Sequence, residues 1–326
     1  MNICFLDNSG VSFNSKDIYS NKIRGAENVL INLSREFKNL GHDVIIYNNF
    51  NGKEKIDDIY WINLKHIDNK KKFDLAITNN DIALLSKVIS KKKIAISHSL
   101  QPLEKFIRKR QLFPYLNNKP KIVMMSKYHN KNRNFLTKLF GFFIIDWAVD
   151  EIFLNYHVDI SKKQQNAIFT SNINRNAKIL IDIWINYIFK DNKKDKLLIT
   201  PFNKDLSMYN IFNRNFGTKN DLIKDLSNSR VMLIPGHKAE LFCIAAEEAK
   251  EMCIPIVTLG IGCLRERVEH KKTGFIANNY SQFAHYTNLL LNDNNLLLEM
   301  KKNLYKQKNK KNWSMIAKTF LINAFE

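Results

Sequence analysis

Between residues 235 and 249 the chain reads Pro-Gly-His-Lys-Ala-Glu-Leu-Phe-Cys-Ile-Ala-Ala-Glu-Glu-Ala, with carboxylates at Glu240 and Glu248. The segment leaves an apolar run, turns through Gly236 and takes on helical spacing near Phe242. A helix that begins there presents unpaired amides and partial positive charge, a setting that suits a diphosphate. Treated as helical rise, the spacing from Glu240 to Glu248 is about 12 Å, beyond the roughly 5–9.5 Å of a hydrolytic carboxylate pair. The span fits an extended ligand instead: one carboxylate accepts from sugar hydroxyls, the other from ribose hydroxyls, and a diphosphate lies between. Spacing alone leaves a plainer alternative, two solvated glutamates on an amphipathic helix. A second chemical candidate is His98, which follows the apolar run Ile94-Ala-Ile-Ser97. At the carboxyl end of a parallel strand an imidazole stands where such sheets hold ligands, although a lone histidine can equally be a structural residue.

These residues need a scaffold, and the hydrophobic pattern supplies one. Ile3–Leu6 is a strand candidate, the segment from Ala26 to Leu40 sets Leu30, Leu33, Phe37 and Leu40 at helical spacing, Gly41 stops that helix, and Val44–Tyr47 is the next strand. Strand, helix, strand is the opening unit of a doubly wound parallel sheet. Further strand candidates at 75–78, 94–97, 122–125 and 143–145 complete one α/β domain. A second series at 167–170, 196–200, 231–234, 254–257 and 274–277 builds another. The expected domains are 1–152 and 153–304, with a helical segment at 305–326 returning towards the first; no Gly/Ser/Pro linker marks the boundary, which is expected between 150 and 160.

The length of 326 residues suits two domains, and 45% hydrophobic residues with only 10 Gly and 6 Pro suit packed globular structure. A formal charge of +20 favours anionic partners without choosing among nucleic acid, lipid headgroups and phosphorylated small molecules. The four cysteines have no zinc-like spacing, so buried thiols in a reducing compartment are expected. The N-terminus enters a strand without the features of a signal peptide and no run of apolar residues is long enough to span a bilayer, so a cytoplasmic location is expected. From Lys105 to Lys138 there are ten Lys or Arg and no Asp or Glu, interleaved with Phe106, Ile107, Leu112, Phe113, Tyr115 and Leu116. Such a stretch reads either as a surface that lies on anionic lipid or as a solvated face over an apolar stripe.

The segment from Glu240 to Gly274 resembles the donor-site signature of family 4 glycosyltransferases: Glu240, Glu248-Ala249, Pro255-Ile-Val, Gly262-Cys263-Leu-Arg-Glu266 and Thr273-Gly274 fall in the family's order and spacing. The resemblance implies the GT-B fold, two Rossmann-like doubly wound domains facing each other across a cleft. It also implies a retaining transfer of a hexose-type sugar from a nucleotide-sugar to a glycan or lipid-linked acceptor, in polysaccharide or lipopolysaccharide synthesis. Glu240 would hold the transferred sugar, Glu248 the ribose, and the amides around Phe242, Cys243 and Ile244 the phosphates. Cys243 and Cys263 stand where the family has glycines, which puts the close approach of backbone to ligand in question.

The same family carries cations after the first strand of its second domain. Here Arg175 fits that role, while Asn172 replaces the second cation and leaves Lys178 or Lys204 as substitutes. On the acceptor side, Arg24-Gly25-Ala26-Glu27 resembles the family's Gly-Gly-Ala-Glu helix start, His98-Ser99 its His-Asp, and Ser126-Lys-Tyr-His129 and Trp147-Ala-Val-Asp150 two further segments. The resemblance gives His98 a sugar-positioning role, because the leaving phosphate takes the acceptor proton in an internal-return route. No Asp-x-Asp motif stands by the proposed site, so neither a metal nor another cofactor is expected. A sugar-nucleotide-binding homologue without activity is one alternative. A basic nucleic-acid-binding protein is another, although no helix-turn-helix, RNA-recognition or zinc-finger pattern supports it.

Overall fold

The structure, a computed structural model, describes residues 1–326 except 20–22, 163, 165, 191–192 and 216. It divides into two compact units, one of Met1–Ala148 with Trp313–Glu326, the other of Val149–Asn312. The expected divisions at 152/153 and 304/305 therefore shift to 148/149 and 312/313. The reason is local: the turn of helix Glu151–Leu154 belongs to the second unit, where Lys308 Nζ donates to the carbonyls of Phe153 and Leu154 at 2.9 and 3.0 Å.

In the first unit the strands are β1 (Asn2–Leu6), β2 (Asp43–Asn48), β3 (Lys53–Ile56), β4 (Ile59–Asn63), β5 (Lys72–Asn79), β6 (Ile89–Ile96), β7 (Lys121–Met124) and β8 (Phe142–Ile144). They lie in the order β3-β4-β2-β1-β5-β6-β7-β8, parallel except for the β3–β4 pair. That hairpin is unforeseen in the sequence pattern; it turns on Asp57 and Asp58, both at positive φ (51° and 59°), the geometry of a tight two-residue turn. The chain steps outward in opposite directions from β1 and β5, which makes their carboxyl ends the switch point where doubly wound sheets bind ligands.

The helix Gly25–Asn39 buries Val29, Leu30, Ile31, Leu33 and Phe37, and Phe37 meets Phe320 of the C-terminal helix Trp313–Phe325 at 5.7 Å between ring centroids. Where the chain leaves this unit, Trp147 stacks on Trp313, the residue where it returns, at 6.0 Å. Trp147 opens the segment Trp147-Ala-Val-Asp150, and this stacking accounts for its side chain.

The second unit holds β9 (Asn166–Phe169), β10 (Lys196–Ile199), β11 (Ile211–Asn213), β12 (Ser229–Gly236), β13 (Ile256–Ile261) and β14 (Gly274–Ile276), all parallel in the order β11-β10-β9-β12-β13-β14. Its switch point lies between β9 and β12. Ala167, Phe169, Leu197, Val231, Leu233 and Val257 from the strands pack with Leu180, Trp184, Phe283 and Leu290 from the helices in one core. The loops after β9 and β12 thus emerge side by side from a rigid base.

Candidate functional site

At the β9/β12 switch point the loop Thr170–Asn176 is held against the end of β12, because Asn176 Nδ2 donates to the Gly236 carbonyl at 2.5 Å. Arg175 is thereby brought to the turn that follows β12. Its Nε stands 3.3 Å from Glu240 Oε1, and its Nη1 is 3.2 Å from His237 Nδ1. The same Nδ1 accepts from the Ala239 amide at 3.0 Å, so that nitrogen is the unprotonated one and the arginine donates to it. Burial pushes the Glu240 carboxyl upward, opposed by Arg175. The result is a buried carboxylate beside one half-buried guanidinium, in a turn of fixed shape.

That shape is set by close backbone contacts. Glu240 N donates to the His237 carbonyl at 2.8 Å and Cys263 N to the Glu240 carbonyl at 3.0 Å. Gly262 has φ +75°, and a Cβ there would stand 2.5 Å from the His237 carbonyl oxygen and 2.8 Å from that of Glu240. Only glycine fits. The helix starts at Ile244 and runs to Glu251, so residues 240–243 form a turn and the 12 Å helical separation of Glu240 from Glu248 does not apply. Cys243 is the N-cap, at φ 60° and ψ 75°, the left-handed region that favours glycine, and its thiol is buried. A side chain at this position therefore carries backbone strain. The first-turn amides of Ile244 and Ala245 have no partner among the described residues. Phe242 packs under the Arg267 guanidinium, 4.7 Å from its ring centroid.

Glu248 is half-buried on the same helix, in a charged group with Asp150, Lys219 and Arg214. Lys219 pairs with Asp150, and Arg214 with Asp225 at 2.9 Å. Burial, reinforced by the Asp150 charge, raises the Glu248 carboxyl to about 8. The neighbouring Glu247 is a residue that the sequence reading passed over. It is buried and receives Arg267 Nη1 at 3.2 Å, Lys250 Nζ at 3.1 Å and Lys311 Nζ at 2.9 Å. Burial alone would raise its carboxyl, but the three cations outweigh it and hold it at about 2. Glu266 lies exposed on the turn Gly262–Glu266. Neither Lys178 nor Lys204 makes an ion pair among the described residues, and Lys204 lines a separate cavity of about 370 Å³ with Phe202 and Phe212.

The first unit has its own cavity, about 670 Å³, at the β1/β5 switch point, lined among others by Asp7, Arg24, Glu27, Asn79, His98 and Lys105. His98 is fixed twice: Asn80 Oδ1 accepts from its amide at 2.7 Å, and its Nε2 is 3.1 Å from Asn79 Oδ1. Burial and the nearby His129 lower the imidazole to about 3, so it is neutral at physiological pH. Arg24 is the N-cap of the helix Gly25–Asn39, and Glu27 Oε2 accepts from the Arg24 amide at 3.0 Å, so Glu27 has the helix-capping role. A Cβ on Gly25 would meet no protein atom within 4 Å, so packing within the chain does not demand glycine there. Ser126 is buried and caps its helix by accepting from the His129 amide at 3.1 Å. It does not line the cavity. Asp7, Asn79 and Asn80 are the residues here that motif reading missed; the signal that finds them is their position at the ends of the two strands flanking the switch point.

With this geometry in view, the comparisons with solved structures define the class. The fold is GT-B: sucrose-phosphate synthase from Thermosynechococcus elongatus superposes with a TM-score of 0.73 at 14% identity, covering 99% of this chain and 98% of that one. WaaG, a glycosyltransferase involved in lipopolysaccharide biosynthesis, gives 0.68 at 12% identity over 99% of both chains. Anabaena HepE in complex with UDP-glucose gives 0.70 at 14%, covering 99% of this chain and 98% of that one. At these identities the likeness is one of fold. In sequence, residues 210–307 match the family model described as "Glycosyl transferases group 1". That stretch contains Glu240, Glu248 and Gly262. No curated protein matches the sequence.

Proposed function

We propose that this chain is a retaining glycosyltransferase that moves a hexose-type sugar from a nucleotide-sugar donor to a glycan or lipid-linked acceptor in cell-envelope or polysaccharide synthesis. The observation that carries this reading is the Arg175–His237–Glu240 cluster at the β9/β12 switch point, next to the free amides of the Ile244 helix start. A nucleoside diphosphate leaving group needs preorganised positive charge and donors, and the guanidinium and helix start supply both. Glu240 then accepts from hydroxyls of the transferred sugar and Glu248 from the ribose. In this reading the diphosphate charge is met by Arg175 and amides without a divalent metal or any other cofactor. The family match over 210–307 and the UDP-glucose complex of HepE support the donor class.

The acceptor occupies the cavity of the first unit, where neutral His98 positions the sugar and the departing phosphate takes the acceptor proton. The basic stretch 105–138 turns Phe106 and Tyr115 inward and leaves Ile107, Phe113, Leu116 and Phe135 exposed, so it docks on an anionic membrane that carries a lipid-linked acceptor. The protein then works at the cytoplasmic face. Pull-down by anionic vesicles at low salt is the expected result; no pull-down removes the membrane part of the reading.

A thermal-shift panel with UDP-, GDP-, ADP- and CMP-sugars tests the donor site. A true donor at 100 times its Kd adds about 2.7 kcal/mol of stability, and nucleotide release follows when acceptor is supplied. Binding without release would mark an inactive sugar-nucleotide-binding homologue, and no shift with any donor would refute the reading.

A further inference from the structure

At the cavity of the first unit, three side chains form a chain of hydrogen bonds that no motif assigns. Asp7, at the end of β1, accepts from the Ser9 amide at 2.9 Å through Oδ1 and from Asn79 Nδ2 at 3.0 Å through Oδ2. The Asn79 amide nitrogen also faces the Ala26 carbonyl at 3.4 Å. A carboxylate and a carbonyl can only accept, so both contacts require the NH₂ end of Asn79 on that side. Its Oδ1 is therefore the atom 3.1 Å from His98 Nε2, and a carbonyl oxygen requires that nitrogen to carry the proton. In a neutral imidazole the other nitrogen, Nδ1, is then a lone-pair acceptor. Nδ1 has no partner among the described residues, whereas the imidazole lines the 670 Å³ cavity. Asp7 and Asn79 are both buried, and the bond between them is shielded from water.

We infer that Asp7 and Asn79 are positioning residues that lock His98 as its Nε2–H tautomer, so that Nδ1 accepts a hydrogen bond from a hydroxyl of the bound substrate. A phosphate or carboxylate oxygen cannot take that place, because it has no proton to give. The inference rests on the glycosyltransferase reading for the identity of the substrate, but the tautomer itself does not.

The experiment is 15N NMR of histidine-labelled protein at neutral pH, with His98 assigned by His98→Gln, run beside transfer kinetics. The wild type is expected to show His98 protonated on Nε2 with a bare Nδ1. Asn79→Ala is expected to mix the tautomers and to lower kcat roughly tenfold to a hundredfold, the loss typical when the partner behind an oriented histidine of a metal site is removed, with the donor-induced thermal shift unchanged. A purely structural Asn79 would lower stability and leave the tautomer and kcat of the folded fraction unaltered. Proton on Nδ1 in the wild type, or an unmixed tautomer in Asn79→Ala, would overturn the inference. If the tautomer is as described and the wild type transfers no sugar, the positioning role stands and the glycosyltransferase reading fails.

Discussion

Replacing Glu247 by Gln removes the carboxylate paired with Arg267, Lys250 and Lys311, and the size of the effect follows from the cluster. The side chains of Glu247 and Arg267 are 4% and 5% exposed, against 23% for Lys250 and 28% for Lys311. The two lysines can regain water by swinging outward, while the guanidinium, packed on Phe242, cannot. Breaking one partner of a buried ion pair costs about 3–5 kcal/mol, most of it the stranded charge. An independent route gives a similar figure. A carboxyl held at about 2 in the folded chain against about 4.5 unfolded contributes about 3 kcal/mol. Because the folded value is depressed, this stability is present above pH 4.5 and is lost as pH falls towards 2. Calorimetry of wild type and Glu247→Gln at pH 7 should show the transition of the second unit lowered by about 6–20 °C, with the gap narrowing as pH falls below 4.5 and closing only towards pH 2. Equal transitions at pH 7, or a gap as large at pH 3 as at pH 7, would refute the reasoning.

Glu248→Gln is expected to weaken donor binding about tenfold or more while the protein stays folded, as measured by titration calorimetry. With the carboxyl raised to about 8, wild-type donor affinity should improve as pH rises from 6 to 9, and that dependence should vanish in the glutamine variant. Gly262→Ala places a methyl 2.5 Å from the His237 carbonyl oxygen, so it should displace the Glu240 turn. A loss of about 2 kcal/mol or more is expected, by analogy with other strained backbone positions, together with weaker donor-induced stabilisation. Trp313→Ala removes the ring stacked on Trp147 and should destabilise the first unit by about 3–5 kcal/mol in denaturant unfolding, without changing donor affinity.

The scaffold was legible because parallel strands buried on both faces read as apolar runs, and the runs at Ile3–Leu6, Val44–Tyr47 and Val231–Ile234 all became strands. The hairpin of β3 and β4 was not, since Lys53-Glu-Lys-Ile56 is polar and its turn is made by Asp-Asp rather than Asn-Gly. The short β11 was hidden for a similar reason, with two of its three residues exposed. Glu240 and Arg175 could be picked out because their family positions are regular, and the fold brings them into contact. Glu247 could not, because nothing in the sequence tells which of two adjacent glutamates faces inward; that depends on Arg267, twenty residues on, and on Lys311. Asp7 and Asn79 were equally hidden, since they stand 72 residues apart in sequence and meet only after the sheet has formed.

The most direct test of the donor site is turnover by Glu240→Gln beside the wild type, with each nucleotide-sugar that shifts the melting temperature. The carboxylate sits 3.3 Å from Arg175 at the switch point, so the account predicts a folded protein, a retained or modestly reduced donor shift, and sugar transfer lowered at least a hundredfold, on the order of the loss when a single oriented transition-state group is removed. Transfer at the wild-type rate would contradict it.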